Sequence, residues 1–281
     1  MDTDLFSPDY ATARERFCEA ARQCGCSLQS YPIDQTGPHG ESLFIDVAIS
    51  ADRGSSGCLV LSSGMHGVEG YFGSAVQLGM LTQWADNPGT RPRGRWVMIH
   101  AVNPYGMAWN RRFNEDNVDL NRNFLLDGQA YMGAPEGYDL FNPLLNPTCP
   151  PSRTEMLKTK FVWSVIRYGR QRLQYLVSSG QYDYPRGLFF GGHGPVRSHQ
   201  IFDWHFTSWL GDAQQIMHID FHTGLGRSAT YQMLVDHPLT DEQLDWLNST
   251  FGREVVCAVG PGIHPLSSYL TPTDFSCFIS Q

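Results

Sequence analysis

Short apolar runs alternate with longer amphipathic stretches along most of the chain. Residues 58–61, 95–101 and 216–222 are apolar runs bounded by glycine or polar residues, which is typical of buried strands. Between the first two lies 71–84, whose spacing of apolar residues predicts a helix. Two parallel strands joined by a helix form a right-handed β-α-β unit. The pattern therefore predicts an α/β core.

The chain on either side of this core supplies edge strands and covering helices. Residues 27–33 and 43–49 alternate as an antiparallel edge pair would. A capping serine before proline, Ser7-Pro8, predicts a helix that runs to about Cys24. Further helices are predicted over 152–177, 198–210 and 240–251, and further strands over 230–235 and 254–259. We predict an α/β fold, a single domain over 1–281, with a mostly parallel, mixed central sheet and helices on both faces.

Residues able to bind a metal stand where two predicted strands end. His66 and Glu69 follow the first strand, and His222 closes the last of the three. Open α/β sheets hold ligands outside the carboxyl ends of their strands, and imidazole and carboxylate groups are good zinc ligands. Plainer interpretations exist: Glu69 as a carboxylate favoured by a helix dipole, and His222 as a hydrogen-bonded core histidine.

A dense polar stretch, 110–124, follows the second strand. Asn and Asp are frequent in turns, so an ordinary solvated loop is one interpretation. Apolar residues are interleaved with the polar ones, however, and they predict a packed loop: Trp109, Phe113, Leu120 and Phe124. Such a loop would hold its arginines in fixed directions, suited to binding a carboxylate or stabilising an oxyanion.

Composition narrows the class of protein. The chain has 281 residues, is 41% hydrophobic and carries a net charge of -8, which argues against nucleic-acid binding. The acidic N-terminus does not resemble a signal peptide, and no apolar run is long enough to span a membrane. Seven scattered cysteines indicate reduced thiols and a cytoplasmic location. The pair Cys24 and Cys26 is interpreted as structural.

Five motifs in order resemble the carboxypeptidase A clan, which includes zinc carboxypeptidases and the succinylglutamate desuccinylase/aspartoacylase group. They are His66-x-x-Glu69, Asn103-Pro-Tyr-Gly106, Arg112, Asp119-Leu-Asn-Arg-Asn-Phe124 and Asp220-Phe-His222. The sequence His66-Gly-Val-Glu-Gly70 and the segment 181–192 most resemble an uncharacterised bacterial branch of this clan. The resemblance covers roughly residues 40 to 235 and implies a zinc carboxypeptidase-like fold.

The resemblance also implies roles for individual residues. His66, Glu69 and His222 would bind one zinc ion, and Arg112 would polarise the scissile carbonyl and stabilise the oxyanion. Asn121 and Arg122 would hold the terminal carboxylate of a substrate; a surface ion pair with Asp119 is the plainer interpretation of Arg122. Asp220 would orient a ligand histidine. Three other histidines are interpreted as structural: His100, His193 and His218.

One feature of the clan is missing from its expected place. The general base of the clan is a glutamate on a late strand, after the last zinc ligand. Here only Glu242 and Glu254 follow His222. Glu242 stands at a predicted helix start and Glu254 at the wrong end of a strand, so neither matches. The C-terminal part is therefore expected to be shorter than in relatives, or the base comes from elsewhere.

Three functions follow from these observations. The first is metallopeptidase activity that releases a C-terminal residue from a peptide. The second is deacylation of an N-acyl amino acid, which needs the same zinc and arginines but a smaller pocket. The third is a non-catalytic remnant that binds zinc and a carboxylate without turnover, because the base is missing. A serine hydrolase is disfavoured, because the sequence contains no Gly-x-Ser-x-Gly elbow.

Overall fold

A computed structural model describes residues 3–51, 56–125, 128–147, 157–169, 176, 179–224, 230–235 and 239–258. The strands are β1 (Ser27–Thr36), β2 (Ser42–Ile49), β3 (Gly57–Ser63), β4 (Arg95–His100), β5 (Gln215–Phe221), β6 (Met233–Val235) and β7 (Val256–Ala258). The helices are α1 (Tyr10–Gln23), α2 (Gly70–Asp86), α3 (Pro104–Ala108), α4 (Tyr138–Leu145), α5 (Leu157–Tyr168), α6 (Arg197–Leu210) and α7 (Asp241–Phe251).

Five strands form a mixed sheet in the order β1-β2-β4-β3-β5. The pairs β1-β2 and β2-β4 are antiparallel, and β3 pairs in parallel with both β4 and β5. The strands β6 and β7 form a separate parallel pair. The predicted mixed α/β architecture is confirmed, and the predicted β-α-β unit is β3-α2-β4. Because β3 and β5 are parallel neighbours, the residues that follow them lie at the same edge of the sheet.

Alternate residues of the strands supply two hydrophobic cores, one on each face of the sheet. On one face, Val60 and Val97 pack with residues of α6, including Trp209. On the other face, Leu61 and Met98 pack with residues of α1 and α2. The sheet is therefore covered by helices on both faces, as predicted.

Some helices begin at residues, or lie in stretches, that differ from those predicted from the sequence. The cap of α1 is Asp9, whose carboxylate accepts a hydrogen bond from the Thr12 N–H at 2.8 Å, so the helix begins after the predicted Ser7-Pro8 start. The stretch 127–151 is rich in Gly, Pro and Asn, which favours irregular structure, yet it contains α4, whose Tyr138 and Phe141 are buried. The predicted helix 152–177 is described over α5, and part of that range lies outside the described residues.

Candidate metal centre

A tight turn between β3 and α2 holds His66 and Glu69. Gly64 turns the chain with a φ of +77°, and Gly67–Glu69 form one turn of 3₁₀-helix. The backbone of Gly67 lies directly against α3: a Cβ added there would stand 2.1 Å from the carbonyl carbon of Gly106. Only glycine fits in such a close approach of two backbones. The turn is therefore fixed against α3, and with it the direction of the two side chains.

Three side chains converge at the carboxyl ends of β3 and β5. His66 Nδ1 lies 2.9 Å from Glu69 Oε1, and His222 Nδ1 lies 3.2 Å from Glu69 Oε2. The two Nδ1 atoms are themselves 3.2 Å apart, and one ligand atom from each residue lies within 4.8 Å of the others. Two imidazoles and a carboxylate are a donor set that suits zinc. The structure thus brings together the three ligands predicted from the sequence.

Each of these histidines has a buried carboxylate at its other ring nitrogen. Asp119 Oδ1 lies 3.3 Å from His66 Nε2, and Asp220 Oδ2 lies 2.5 Å from His222 Nε2. Histidines that bind a metal commonly have such a partner, which fixes the tautomer and the ring orientation. Asp220 lies where the sequence placed it. The contact of Asp119 with His66 was not predicted, because no sequence pattern indicates that these two distant residues are neighbours in the fold.

The ionisation of the ligands follows from these contacts. Burial raises the pKa of Glu69, but hydrogen bonds with His222 and His66 outweigh burial and hold that pKa below its usual range. Burial lowers the pKa of His222, whereas the Asp220 and Glu69 carboxylates outweigh burial and raise it to about 9. Without a metal, Glu69 is therefore ionised at neutral pH and His222 holds a proton that a metal ion would have to displace.

Arg112 lies against the same cluster. Its Nη2 is 2.7 Å from His66 Nε2, its Nε is 3.2 Å from Asp119 Oδ2, and its Nη1 is 3.5 Å from Glu69 Oε1. Burial raises the pKa of Asp119, but the Arg112 guanidinium and His66 hold it below its usual range. One third of the Arg112 side chain (33%) is exposed. Arg112 therefore stands beside the ligands and also reaches the surface; its role on a substrate carbonyl stays a prediction.

Asn121 and Arg122 stand on a 3₁₀ turn that begins at Asp119. The Asp119 carboxylate caps this turn by accepting a hydrogen bond from the Asn121 N–H at 3.1 Å. Arg122 is 3% exposed, and its Nη1 donates to the Asn121 carbonyl oxygen at 2.8 Å. Arg122 is therefore buried, which does not fit a surface ion pair. The binding of a substrate carboxylate by these two residues remains a prediction.

The glycine-rich segment 180–194 packs on this turn. A Cβ added at Gly180 would lie 2.6 Å from Arg122 Cδ, and the Tyr182 hydroxyl donates to the Arg122 carbonyl oxygen at 2.9 Å. Asn123 Nδ2 donates to the carbonyl oxygens of Gly191 and Gly194, at 2.8 and 2.9 Å. The segment therefore holds the backbone of the turn and one side of the Arg122 side chain.

A cavity of about 300 Å³ adjoins the same turn. Three phenylalanines, two histidines and Asn121 contribute to its wall, and Asp203 lies at the surface beside them. The lining residues are Met65, Asn121, Phe124, Leu125, His199, Phe202, Asp203, Phe206, Thr207 and His218. Asn121 is therefore shared between the cavity and the turn that carries Arg122.

The sequence matches the model of a family described as a protein of unknown function, DUF2817, over residues 6–269. The chain belongs to this family. No curated protein matches the sequence.

Solved structures with a similar fold are distant in sequence. Bovine thrombin-activatable fibrinolysis inhibitor, solved with a tick carboxypeptidase inhibitor, is 12% identical; the match covers 98% of this chain and 86% of that chain, with a TM-score of 0.53. Carboxypeptidase A from Helicoverpa armigera is 11% identical over 97% of this chain and 64% of that chain, with a TM-score of 0.51. This member of the DUF2817 family therefore has a zinc carboxypeptidase-like fold, as the motifs predicted.

The two glutamates that follow His222 in this DUF2817 chain are both exposed. Glu242 lies exposed in the first turn of α7, and Glu254 is exposed between α7 and β7. The capping partner of Thr240 is Gln243 rather than Glu242. Residues 259–281, including the tail considered for the role of general base, lie outside the described residues.

Within the described ranges, no helix is both long and apolar enough to cross a membrane.

Proposed function

We propose that this protein is a zinc-dependent hydrolase that cleaves an amide bond next to a free carboxylate and releases a C-terminal residue from a peptide. The observation that carries the proposal is the convergence of His66, Glu69 and His222 within 4.8 Å at the carboxyl ends of two parallel strands. The fold supports it, because ligands of open α/β sheets bind at that edge.

The residues present fit a zinc ion. His66 Nδ1, His222 Nδ1 and the Glu69 carboxylate offer the three protein ligands that a catalytic zinc site uses, and Asp119 and Asp220 stand behind the two imidazoles. When bound, zinc would polarise the scissile carbonyl and lower the pKa of a water molecule toward neutrality.

The arginines would orient the substrate and stabilise charge. Arg112 stands at the ligand cluster with part of its guanidinium exposed, so it would donate hydrogen bonds to the oxyanion that forms at the attacked carbonyl. Asn121 and Arg122 would bind the terminal carboxylate, which places the last amide bond of a peptide beside the ligands. A substrate without that carboxylate would lose this orientation.

The cavity next to Asn121 would take the side chain of the released residue. Its wall contains Phe124, Phe202 and Phe206, and aromatic rings favour large apolar or aromatic occupants. The exposed carboxylate of Asp203 disfavours an acidic one. We therefore propose a preference for C-terminal aromatic or large aliphatic residues over Asp and Glu.

The first experiment is to count zinc ions per chain by elemental analysis of metal-equilibrated, untagged protein. We expect close to one zinc per chain in the wild type and a large loss in His66→Ala. A wild-type protein that binds no zinc contradicts the proposed metal centre.

The second experiment measures release of the last residue from matched peptides that have a free or an amidated C-terminus. Arg122→Gln should reduce kcat/KM for the free-carboxylate peptide about 10- to 100-fold, the scale of one charge-assisted contact, and leave the small activity on the amide little changed. The exposed Arg111→Gln is the matched control. Equal losses on both peptides would remove the role of Arg122. Turnover of N-acyl amino acids alone would favour the deacylase, and zinc binding without any turnover would favour the remnant.

A further inference from the structure

A series of polar side chains extends from His222 across the paired strands β3 and β5. His222 Nε2 lies 2.5 Å from Asp220 Oδ2, and the Ser62 hydroxyl donates to Asp220 Oδ1 at 2.5 Å. The same hydroxyl lies 2.7 Å from His218 Nε2. Ser62 and Asp220 are fully buried. These contacts connect a predicted metal ligand to a histidine four residues earlier on the same strand.

The pairing of the strands produces this arrangement. Ser62 and Asp220 are direct partners in the parallel register of β3 and β5. Successive side chains of a strand point to opposite faces, so His218 and Asp220 lie on one face, and His222 continues their line just past the end of β5. A slip of one residue would turn all of these side chains toward the opposite core, so the register itself specifies the contacts.

Counting hydrogens fixes the direction of each contact. A serine hydroxyl has one hydrogen, and here Ser62 donates it to the Asp220 carboxylate. His218 Nε2 must then carry a hydrogen and donate it to Ser62 Oγ. The other carboxylate oxygen of Asp220 faces His222 Nε2. Asp220 is thus held from one side by Ser62 while it faces the ligand histidine on the other.

We propose that Ser62 and His218 are positioning residues for the metal ligand His222, acting through the carboxylate of Asp220. With Asp220 fixed in this way, the Nε2 side of His222 is occupied by the carboxylate and its Nδ1 is directed at Glu69 and His66. The inference rests on the proposed metal centre, and it assigns a function to two residues that neither touch the other ligands nor belong to any of the five motifs.

The test compares two buried serines that are adjacent in β3. Ser63 is as buried as Ser62, and it also makes a buried hydrogen bond, to Gln77 Oε1 at 2.8 Å. Its side chain lies on the face of the sheet opposite the hydrogen-bonded series of Ser62, His218 and Asp220. Metal-free wild type, Ser62→Ala and Ser63→Ala are titrated with zinc against a chromophoric chelator. We expect about 10-fold or more weaker affinity in Ser62→Ala and near-wild-type affinity in Ser63→Ala.

Cobalt substitution provides a readout that a purely structural role would not change. Ser62→Ala should alter the visible absorption bands of the bound Co²⁺, because His222 is no longer held in one orientation, while Ser63→Ala should keep the wild-type spectrum. Equal affinities and identical spectra in the two variants would overturn the proposal. A wild type that binds neither metal would instead overturn the metal centre, so the two failures are distinguishable.

A second pair of variants keeps the test decisive if Ser62→Ala does not fold. His218→Gln retains an N–H donor that can reach Ser62, whereas His218→Leu has none. We expect His218→Gln to preserve most of the zinc affinity and the Co²⁺ spectrum, and His218→Leu to lose them to the same extent as Ser62→Ala. Identical zinc affinities and Co²⁺ spectra of the two His218 variants would contradict the proposed positioning of His222 through Ser62 and Asp220.

Discussion

The buried carboxylate of Asp119 contacts both His66 and Arg112. Its Oδ1 lies 3.3 Å from His66 Nε2, and its Oδ2 accepts a hydrogen bond from Arg112 Nε at 3.2 Å. The side chain is fully buried, so its charge depends on these partners. One carboxylate therefore contacts both a predicted metal ligand and the arginine beside it.

Asp119→Asn should weaken zinc binding about 10- to 100-fold, because the amide keeps the shape of the carboxylate but loses the charge that orients His66 and pairs with Arg112. Zinc affinity is measured by chelator competition, as for the serine variants. The control is Asp116→Asn, which changes an exposed carboxylate in the same loop. Unchanged affinity in Asp119→Asn would show that His66 does not need this partner.

The sequence predicted the cluster of His66, Glu69 and His222 because these residues stand at or just after strand ends. Alternation along 216–222 also places His218, Asp220 and His222 on one face. It could not reveal that Ser62 belongs with them, because the contact depends on which strands are neighbours. His218 was interpreted from sequence as structural. The pairing of β3 with β5 brings it to Ser62, and this contact supports the positioning role proposed for it.

The element that positions His66 and Glu69 is the turn between β3 and α2. Hydrogen bonds from the N–H groups of Gly67 and Val68 to the carbonyl oxygens of Arg112 and Arg111 tie this turn to the loop that follows α3, at 3.2 and 3.0 Å. The ligand turn and the Arg112 loop are thus a single packed unit. A change in the backbone of one should move the side chains of both.

Gly67→Ala should destabilise the metal-free protein by about 1–3 kcal/mol, because the new methyl group would overlap the backbone of α3. The shift should also weaken zinc binding, since His66 and Glu69 lie on either side of residue 67. Both quantities are obtained from urea unfolding and zinc titration of the same preparation.

Gly89→Ala is the control for that substitution, because a Cβ at position 89 has no neighbour within 4 Å among the described residues. It should leave both measurements close to wild type. A Gly67→Ala protein that is as stable as Gly89→Ala, with normal zinc affinity, would mean that α3 moves aside freely and does not fix the turn.

At the element scale, sequence patterns located the central strands and the helices between them, and failed where tertiary contacts decide. The capping interaction of Asp9 overrides the serine-proline signal two residues earlier. The helix α4 contains Pro143 and lies in a stretch rich in Gly, Pro and Asn, so its sequence predicts irregular structure. Packing of Tyr138 and Phe141 with Leu176 supplies the stabilisation that local propensity lacks.

For the molecule as a whole, one of the titratable groups buried in the core away from the candidate metal centre is His100. His100 is fully buried, stacks on Phe17 with ring centroids 4.7 Å apart, and has its Nε2 2.9 Å from the Ser74 hydroxyl. Burial lowers its pKa from 6.5 to about 4. The folded protein therefore keeps this ring neutral at a pH where the unfolded chain would bind a proton.

The stability of the protein should accordingly fall as the pH is lowered through 6.5 toward 4, since the unfolded chain gains a proton that the folded chain does not. Between pH 7 and pH 5, His100 alone should account for a loss of about 2 kcal/mol. Urea unfolding of metal-free wild type and His100→Phe at both pH values measures the difference. An equal loss in the two proteins would show that His100 is not responsible.

The class of fold was predictable from sequence because parallel strands, their connecting helix and the strand-end residues agree with one another. The site was predictable as far as the strand ends supply it: His66, Glu69, His222 and Asp220. The cavity beside Asn121 was not, because its wall comes largely from α6 and the 121–125 loop, which meet only in the folded chain.

The contact between Arg112 and His66 has a consequence for the order of binding. Arg112 has only hydrogens to donate, so at 2.7 Å the Nε2 of His66 must accept, and its Nδ1 then carries the ring hydrogen toward Glu69. Binding of a metal through Nδ1 requires the opposite tautomer, with a hydrogen on Nε2 directed at Asp119.

Two donors cannot face each other at such a distance, so Arg112 must leave His66 when that tautomer forms. The contacts of Arg112 with Asp119 and Glu69 are compatible with either tautomer of His66. Under the proposed function, zinc binding through Nδ1 would therefore release the Nη2 group of Arg112 to donate to a substrate oxygen. The expected order is zinc first and the Arg112 contact with the attacked carbonyl second, whereas the proposed binding of the terminal carboxylate by Asn121 and Arg122 does not depend on this step.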